Sequence, residues 1–274
     1  MKKEIKDLQS REPIGAILSI GKKSARGFPH ETDRFHIVST MQDANKVRQP
    51  HPAFNSFNAA PPEKRKVIRG NLIHATRDDC FEYYLKAQTL GGKQHPNKQP
   101  MCTGNGTTAL RYADNQNDPN QFNEIVCPGD KCEFRVGDKP MCKPFSRLLF
   151  RLRWLDGVAF PTPLTKFSTG SWNTCANLVG FFEYIENVTK HLGIKEYSLF
   201  GFPFMMVLSK KTNPAKKTSF PVVTITPEAD PVQFFTLQAQ NFEQLSGSSS
   251  MALIDMQSDQ ELLEDSESLS LPSK

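Results

Sequence analysis

Residues 91–145 are rich in Gly, Pro, Asn and Cys and poor in the bulky apolar side chains from which a core is made. A stretch this long does not sit structureless in a compact domain unless something staples it. Cys102, Cys127, Cys132 and Cys142 lie within it, in the pattern C-x24-C-x4-C-x9-C. Between Cys127 and Cys132, Pro128 and Gly129 let the chain curl so that both sulfurs face one point. Zinc takes four thiolates tetrahedrally, and such a closed site has no open position for catalysis. Four thiolates on a divalent ion leave a charge of about −2, which neighbouring cations must offset. Lys131, Arg135, Lys139 and Lys143 are close enough in sequence to do so. Zn2+ is therefore the expected cofactor, in a structural role. The alternatives are four separate buried thiols, an iron–sulfur cluster, or a mixed site in which His95 replaces one cysteine. The spacing is looser than in paired C-x-x-C motifs.

The chain opens Met1-Lys2-Lys3-Glu4 and runs into polar sequence. Its longest apolar run, Leu199 to Leu208, is interrupted by Gly201 and Pro203, short of the roughly 20 residues a membrane helix needs. We expect a cytoplasmic protein with no membrane contact. Thiols stay reduced in that compartment, so six cysteines imply metal binding or core burial in place of disulfides. Cys175 falls on the apolar face of a helix and Cys80 adjoins Phe81, so both are expected in the core.

Charge is unevenly spread. The net charge is +5, yet residues 246–274 hold six acids against Lys274 alone. A basic body with an acidic tail suits a polyanion-binding protein. The tail is Ser-rich and too poor in large apolar residues to offset the cost of ordering, so residues 246–274 are expected to be disordered. Within it, Glu261, Leu262, Leu263 and Glu264 form a short motif able to fold on a partner.

Hydrophobic pattern places the elements of the body, residues 1–245. Strands are expected over 13–20 (followed by a turn at 21–23), 34–40 and 66–74, with a long loop at 41–65. Residues 79–90 fit a strand, while Asp78-Asp79 could cap a helix. The clearest strand is Arg147 to Leu155. Leu148, Phe150, Leu152 and Trp154 line one face and Arg147, Arg151 and Arg153 the other, at period two. Asp156-Gly157 then marks a turn. The best helix begins at a cap on Ser171 or Asn173, carries Leu178, Phe182, Ile185 and Leu192 at helical spacing, and ends at Gly193. Two strands, 204–209 and 219–226, make a hairpin around Asn213-Pro214, with Pro221 placing the second at a sheet edge. Asp230-Pro231 starts a last helix with Phe235, Ala239 and Phe242 inward. The fold class is α+β: a mixed or antiparallel sheet, a few helices and a zinc-stapled insertion at 102–142.

No phosphate-loop, G-x-S-x-G or H-E-x-x-H motif occurs, and no nucleophile–base pair assembles from the sequence, so the protein is not expected to be an enzyme. Arg147, Arg151 and Arg153 share a strand face, on which residues two apart are about 6.6 Å apart at strand rise, and guanidinium suits phosphate oxygens. They are the nucleic-acid-binding candidates, with Phe145 or Phe134 able to stack on bases. The alternative is a solvated face paired with acids of a neighbouring strand.

The order of these features resembles a known family. Pro13-Ile14-Gly15 with Gly21-Lys22, then Phe35-His36-Ile37-Val38-Ser39, open the chain. Cys102-Thr103-Gly104-Asn105-Gly106 with Ala109 follows, then Cys127, Cys132 and Cys142-Lys143-Pro144, and finally Phe167-Ser168-Thr169-Gly170-Ser171-Trp172. Over roughly residues 11–210 this is similar to the phage recombination directionality factor-like family, whose best-known members bind large serine integrases and switch them from integration to excision. The resemblance implies a zinc- or metal-binding accessory factor in the bacterial host cell, without catalysis of its own, with a serine integrase and DNA as partners. The second reading is a single-stranded DNA-binding protein of phage replication or recombination, and a metal-dependent hydrolase is the third.

Overall fold

The computed structural model describes residues 13–23, 29–42, 51–88, 100–112, 122–136, 141–153, 162–213 and 218–242. The chain divides into two compact units, Met1–Ile185 with Ser198–Ala229, and Glu186–Tyr197 with Asp230–Lys274.

The first unit begins with β1 (Ala16–Lys23), antiparallel to β2 (Pro29–Ser39). The expected turn at 21–23 is not there: the strand continues through it. Gly21 takes a φ of 68° and shifts the register between Ile20 and Lys22. That is a bulge at a residue free to enter the left-handed region. The expected loop at 41–65 is corrected as well. It holds α1 (Pro52–Ala59) and a 3-10 turn, Pro62–Lys66. Pro52 stands in the first turn and Ala53 and Phe54 are buried, so burial of one small face overrides a polar, Pro-rich sequence.

β3 (Val67–Leu72) follows, then a single helical turn, α2 (Arg77–Cys80), and β4 (Phe81–Gln88). The ambiguity at 79–90 resolves as both elements in succession. The Thr76 hydroxyl caps the turn by accepting from the Asp79 backbone N–H at 3.3 Å. The region expected to be loop contains three short strands, β5 (Pro100–Gly104), β6 (Thr108–Tyr112) and β7 (Phe122–Val126).

The central strand, β8 (Cys142–Arg153), is longer than its sequence pattern. β9 (Leu164–Thr169) lies along one of its edges at residues 146–151. Its other edge is shared: β4 pairs with residues 142–148 and β3 with 150–153. The sheet therefore forks at β8. One branch runs through β4 to β5, β6 and β7, and the other through β3 to β10 (Pro203–Asn213) and β11 (Thr218–Pro227). Among the described residues eleven strands form this sheet, all pairs antiparallel except β1 with β9, which is parallel. It is the mixed sheet of an α+β fold. Pro221 lies in β11 at the end of its branch, where a missing backbone donor costs no ladder bond.

The long helix α3 (Trp172–His191) covers the sheet's apolar side. Ser171 caps it, Gly193 ends it with a φ of 69°, and Leu178, Phe182 and Ile185 are buried. Phe182 stacks on Phe81 at 4.9 Å, and Phe181 meets Phe204 edge-on at 6.1 Å. On β8, Leu148, Phe150 and Leu152 are fully buried. Leu192, expected inward, is 38% exposed because the helix has already ended. In the second unit, Asp230 caps a helix, α4 (231–242), by accepting from the Val232 N–H at 3.0 Å. There Phe235 is buried against Tyr197, while Phe242, also expected inward, is 56% exposed. No helix among the described residues is long and apolar enough to cross a membrane. Trp154, the turn at 156–157, His95, Lys139 and the tail motif Glu261, Leu262, Leu263 and Glu264 lie outside the described residues.

Candidate metal centre and basic sheet face

The four cysteines of the staple come from four different places in the chain. Cys102 is on β5, Cys127 follows β7, Cys132 follows a 3-10 turn at Gly129–Lys131, and Cys142 begins β8. All four line one small cavity with Leu85, Ala109, Arg111 and Phe134. Backbone bonds fix the approach. The Cys127 N–H donates to Thr107 O at 2.8 Å, Cys132 O accepts from Arg135 N–H at 2.8 Å, and Cys142 N–H donates to Phe134 O at 2.8 Å. Beneath them Leu85, Ala87 and Cys142 form a buried cluster, with Met101, Cys102 and Phe134 packed on it. As the side chains stand, no group of three or more His, Cys, Asp or Glu among the described residues is arranged to hold a metal ion.

Two arginines flank this cavity. Arg111 lies opposite Cys102 across the β5–β6 pair. Its Nη2 donates to Cys132 Sγ at 3.8 Å, its Nη1 pairs with Glu133 at 2.8 Å, and its guanidinium sits 4.9 Å over the Phe134 ring. Arg135 pairs with Asp130 at 2.9 Å and lies 5.0 Å over Trp172. Burial pushes the Cys102 and Cys142 thiols up, opposed at Cys102 by Arg111 and at Cys142 by Arg135. Arg135 was expected from sequence as an offsetting cation; Arg111 was not. The signal that would have found it is Asn105-Gly106, a hairpin cue that folds residue 111 back beside Cys102. Four thiols lining one cavity with two arginines beside it are the donor chemistry that suits a thiophilic divalent ion, but as the side chains stand they are not gathered around one point.

Cys80 and Cys175 stand apart. Both are buried. Desolvation pushes the Cys80 thiol up to about 11 and raises Cys175 as well, so each stays a neutral thiol in the core.

Arg147, Arg151 and Arg153 do share one face of β8, the side away from Leu148 and Phe150. Each is half-buried and engaged. Arg147 pairs with Glu82 directly opposite on β4. Arg151 Nη1 donates to Thr162 O at 2.6 Å. Arg153 reaches Glu228 at 3.4 Å, the same carboxylate that Arg69 holds at 2.7 Å. Phe145 packs beside Tyr84, ring centroids 4.9 Å apart, and Phe134 lies under Arg111. Asp78-Asp79 belongs to the α2 turn, where Thr76 Oγ1 donates to Asp79 at 2.6 Å.

The fold and its cysteine annex define an α+β class with a thiol-lined cavity towards one end of its sheet. The family model for recombination directionality factor-like (Gp3-like) proteins matches residues 14–228, and the chain belongs to that family. No curated protein and no solved structure matches it.

Proposed function

We propose that the protein is a non-catalytic phage accessory factor that binds a serine integrase and DNA in the host cytoplasm and controls the direction of recombination. The observation that carries this is the family match across residues 14–228, which takes in the sheet, the cysteine annex and the whole of α3. In this reading Cys102, Cys127, Cys132 and Cys142 hold one Zn2+ that ties β5, β6, β7 and the start of β8 together. That all four cysteines line one cavity supports it. The ion would supply folding free energy and no chemistry, since four thiolates leave no site for substrate. Arg147, Arg151 and Arg153 would lie towards DNA, and the acidic motif Glu261, Leu262, Leu263 and Glu264 towards a protein partner.

The test uses the purified full chain with a serine integrase encoded in the same genome. The reading expects direct capture of the integrase without DNA, and a shift from integrative to excisive recombination when the factor is added. An integrase that is neither captured nor redirected would leave sequence-tolerant single-strand binding as the better account.

A further inference from the structure

The outer face of the forked sheet gathers cations that are far apart in sequence. On β8 the odd positions point to this side, and strand pairing sets residues of three neighbours among them. Lys86 of β4 lies directly opposite Lys143. Lys166 of β9 lies opposite Leu149, next to Arg147 and Arg151, and Arg69 of β3 lies opposite Arg153. Against these cations, among the described residues, stand two paired carboxylates, Glu82 with Arg147, and Glu228 with Arg69 and Arg153.

The Lys86–Lys143 pair is the informative one. Like charges directly opposite on neighbouring strands repel. Among the described residues neither lysine is paired with a carboxylate. A pair of this kind costs stability in the free protein, and a bound polyanion relieves it. The next pair along the same two strands is Tyr84 opposite Phe145, half-buried, rings 4.9 Å apart and tilted by 33°. Beyond that comes Arg147. The order along the face is therefore a cation pair, an aromatic pair, then arginine. On β8, Lys143, Arg147 and Arg151 recur every four residues, about 13 Å apart.

We propose that this face is a platform for single-stranded DNA, on which Tyr84 and Phe145 stack with unpaired bases while Lys86, Lys143 and the β8 arginines hold the flanking phosphates. Aromatic side chains set between backbone-tracking cations are how single strands are held without sequence preference. A twisted sheet face does not enter a groove of duplex DNA as a helix or two-stranded ribbon does, and an aromatic pair has nothing to stack on in a closed duplex. The proposal rests on the DNA-binding part of the function proposed above and names the form of DNA it takes.

The experiment measures fluorescence anisotropy of a labelled 15-mer of thymidine and of a 15-base-pair duplex with the full chain, over a series of salt concentrations. The single strand is expected to bind tighter. Tyr84→Leu with Phe145→Leu, which keeps apolar bulk in the strands, should weaken it at least tenfold with the salt slope unchanged. Lys86→Gln with Lys143→Gln should lower the slope by about 1.4, for two phosphates at about 0.7 each. That variant should melt no lower than the parent, because its repulsion is gone, so loss of binding cannot be loss of fold. Binding of the single strand by both variants as by the parent would overturn the platform. Tighter duplex binding that ignores the aromatic change would overturn it too. If neither probe binds at low salt, the DNA-binding reading falls with it, while capture of the integrase tests the accessory role separately.

Discussion

The two branches of the sheet are held together in different ways. From β8 towards β3, β10 and α3, phenylalanines do the work: Phe150, Phe182, Phe202 and Phe204 are all fully buried. From β4 towards β7 the strands shorten and burial fades, until β7 has no buried residue at all. There the apolar cluster is Leu85, Ala87 and Cys142 with three partly buried neighbours. Apolar area is what offsets conformational entropy in the first branch. In the second there is too little of it, and the four cysteines stand where a core would be. In the proposed reading, a zinc ion held by those thiols takes over there from apolar burial.

Variants can break that contrast or sharpen it. The largest effect is expected in the phenylalanine branch. Phe150→Ala removes a ring that packs edge-on against Phe204 at 5.3 Å and should cost about 3–5 kcal/mol, read as a fall in the melting temperature of the whole first unit. Cys132→Ser should act locally. Amide exchange should speed up in β5, β6 and β7 while β10 and α3 keep their protection, because the apolar branch does not depend on the proposed zinc. Equal loss in both branches would mean that the sheet is one cooperative unit.

Smaller changes follow. Arg111→Gln removes the cation beside Cys132 and should speed transfer of zinc to a competing chelator about tenfold, with Arg111→Lys in between. The smallest effect is on the outer face. Glu228→Gln frees Arg69 and Arg153 from their shared carboxylate and should tighten DNA binding a few-fold at low salt, with little change at high salt.

The contrast between branches also decides what was legible in the sequence. The alternation of Leu148, Phe150 and Leu152 and the helical spacing of Leu178, Phe182 and Ile185 announce the apolar branch, since burial writes its period into the residues. Where burial is slight the period fades. Met101 to Gly104 and Asn123 to Val126 do not alternate, and their strands are strands because neighbours pair with them. The start of β8 was hidden likewise, because Cys142, Pro144 and Ser146 face inward without looking apolar. The cysteines stand out by their types and segment, but Arg111 and the facing lysines Lys86 and Lys143 depend on register, which no single stretch of sequence carries. Helix α1 was missed because one buried turn, Ala53 and Phe54, is too short to show a period.

The account turns on what holds the annex, and the metal content of the purified full chain tests that most directly. Protein made with adequate zinc should carry one equivalent per chain by elemental analysis, and Cys132→Ser should lose it. Less than about half an equivalent in the unaltered chain would contradict the account, given the affinity of structural sites.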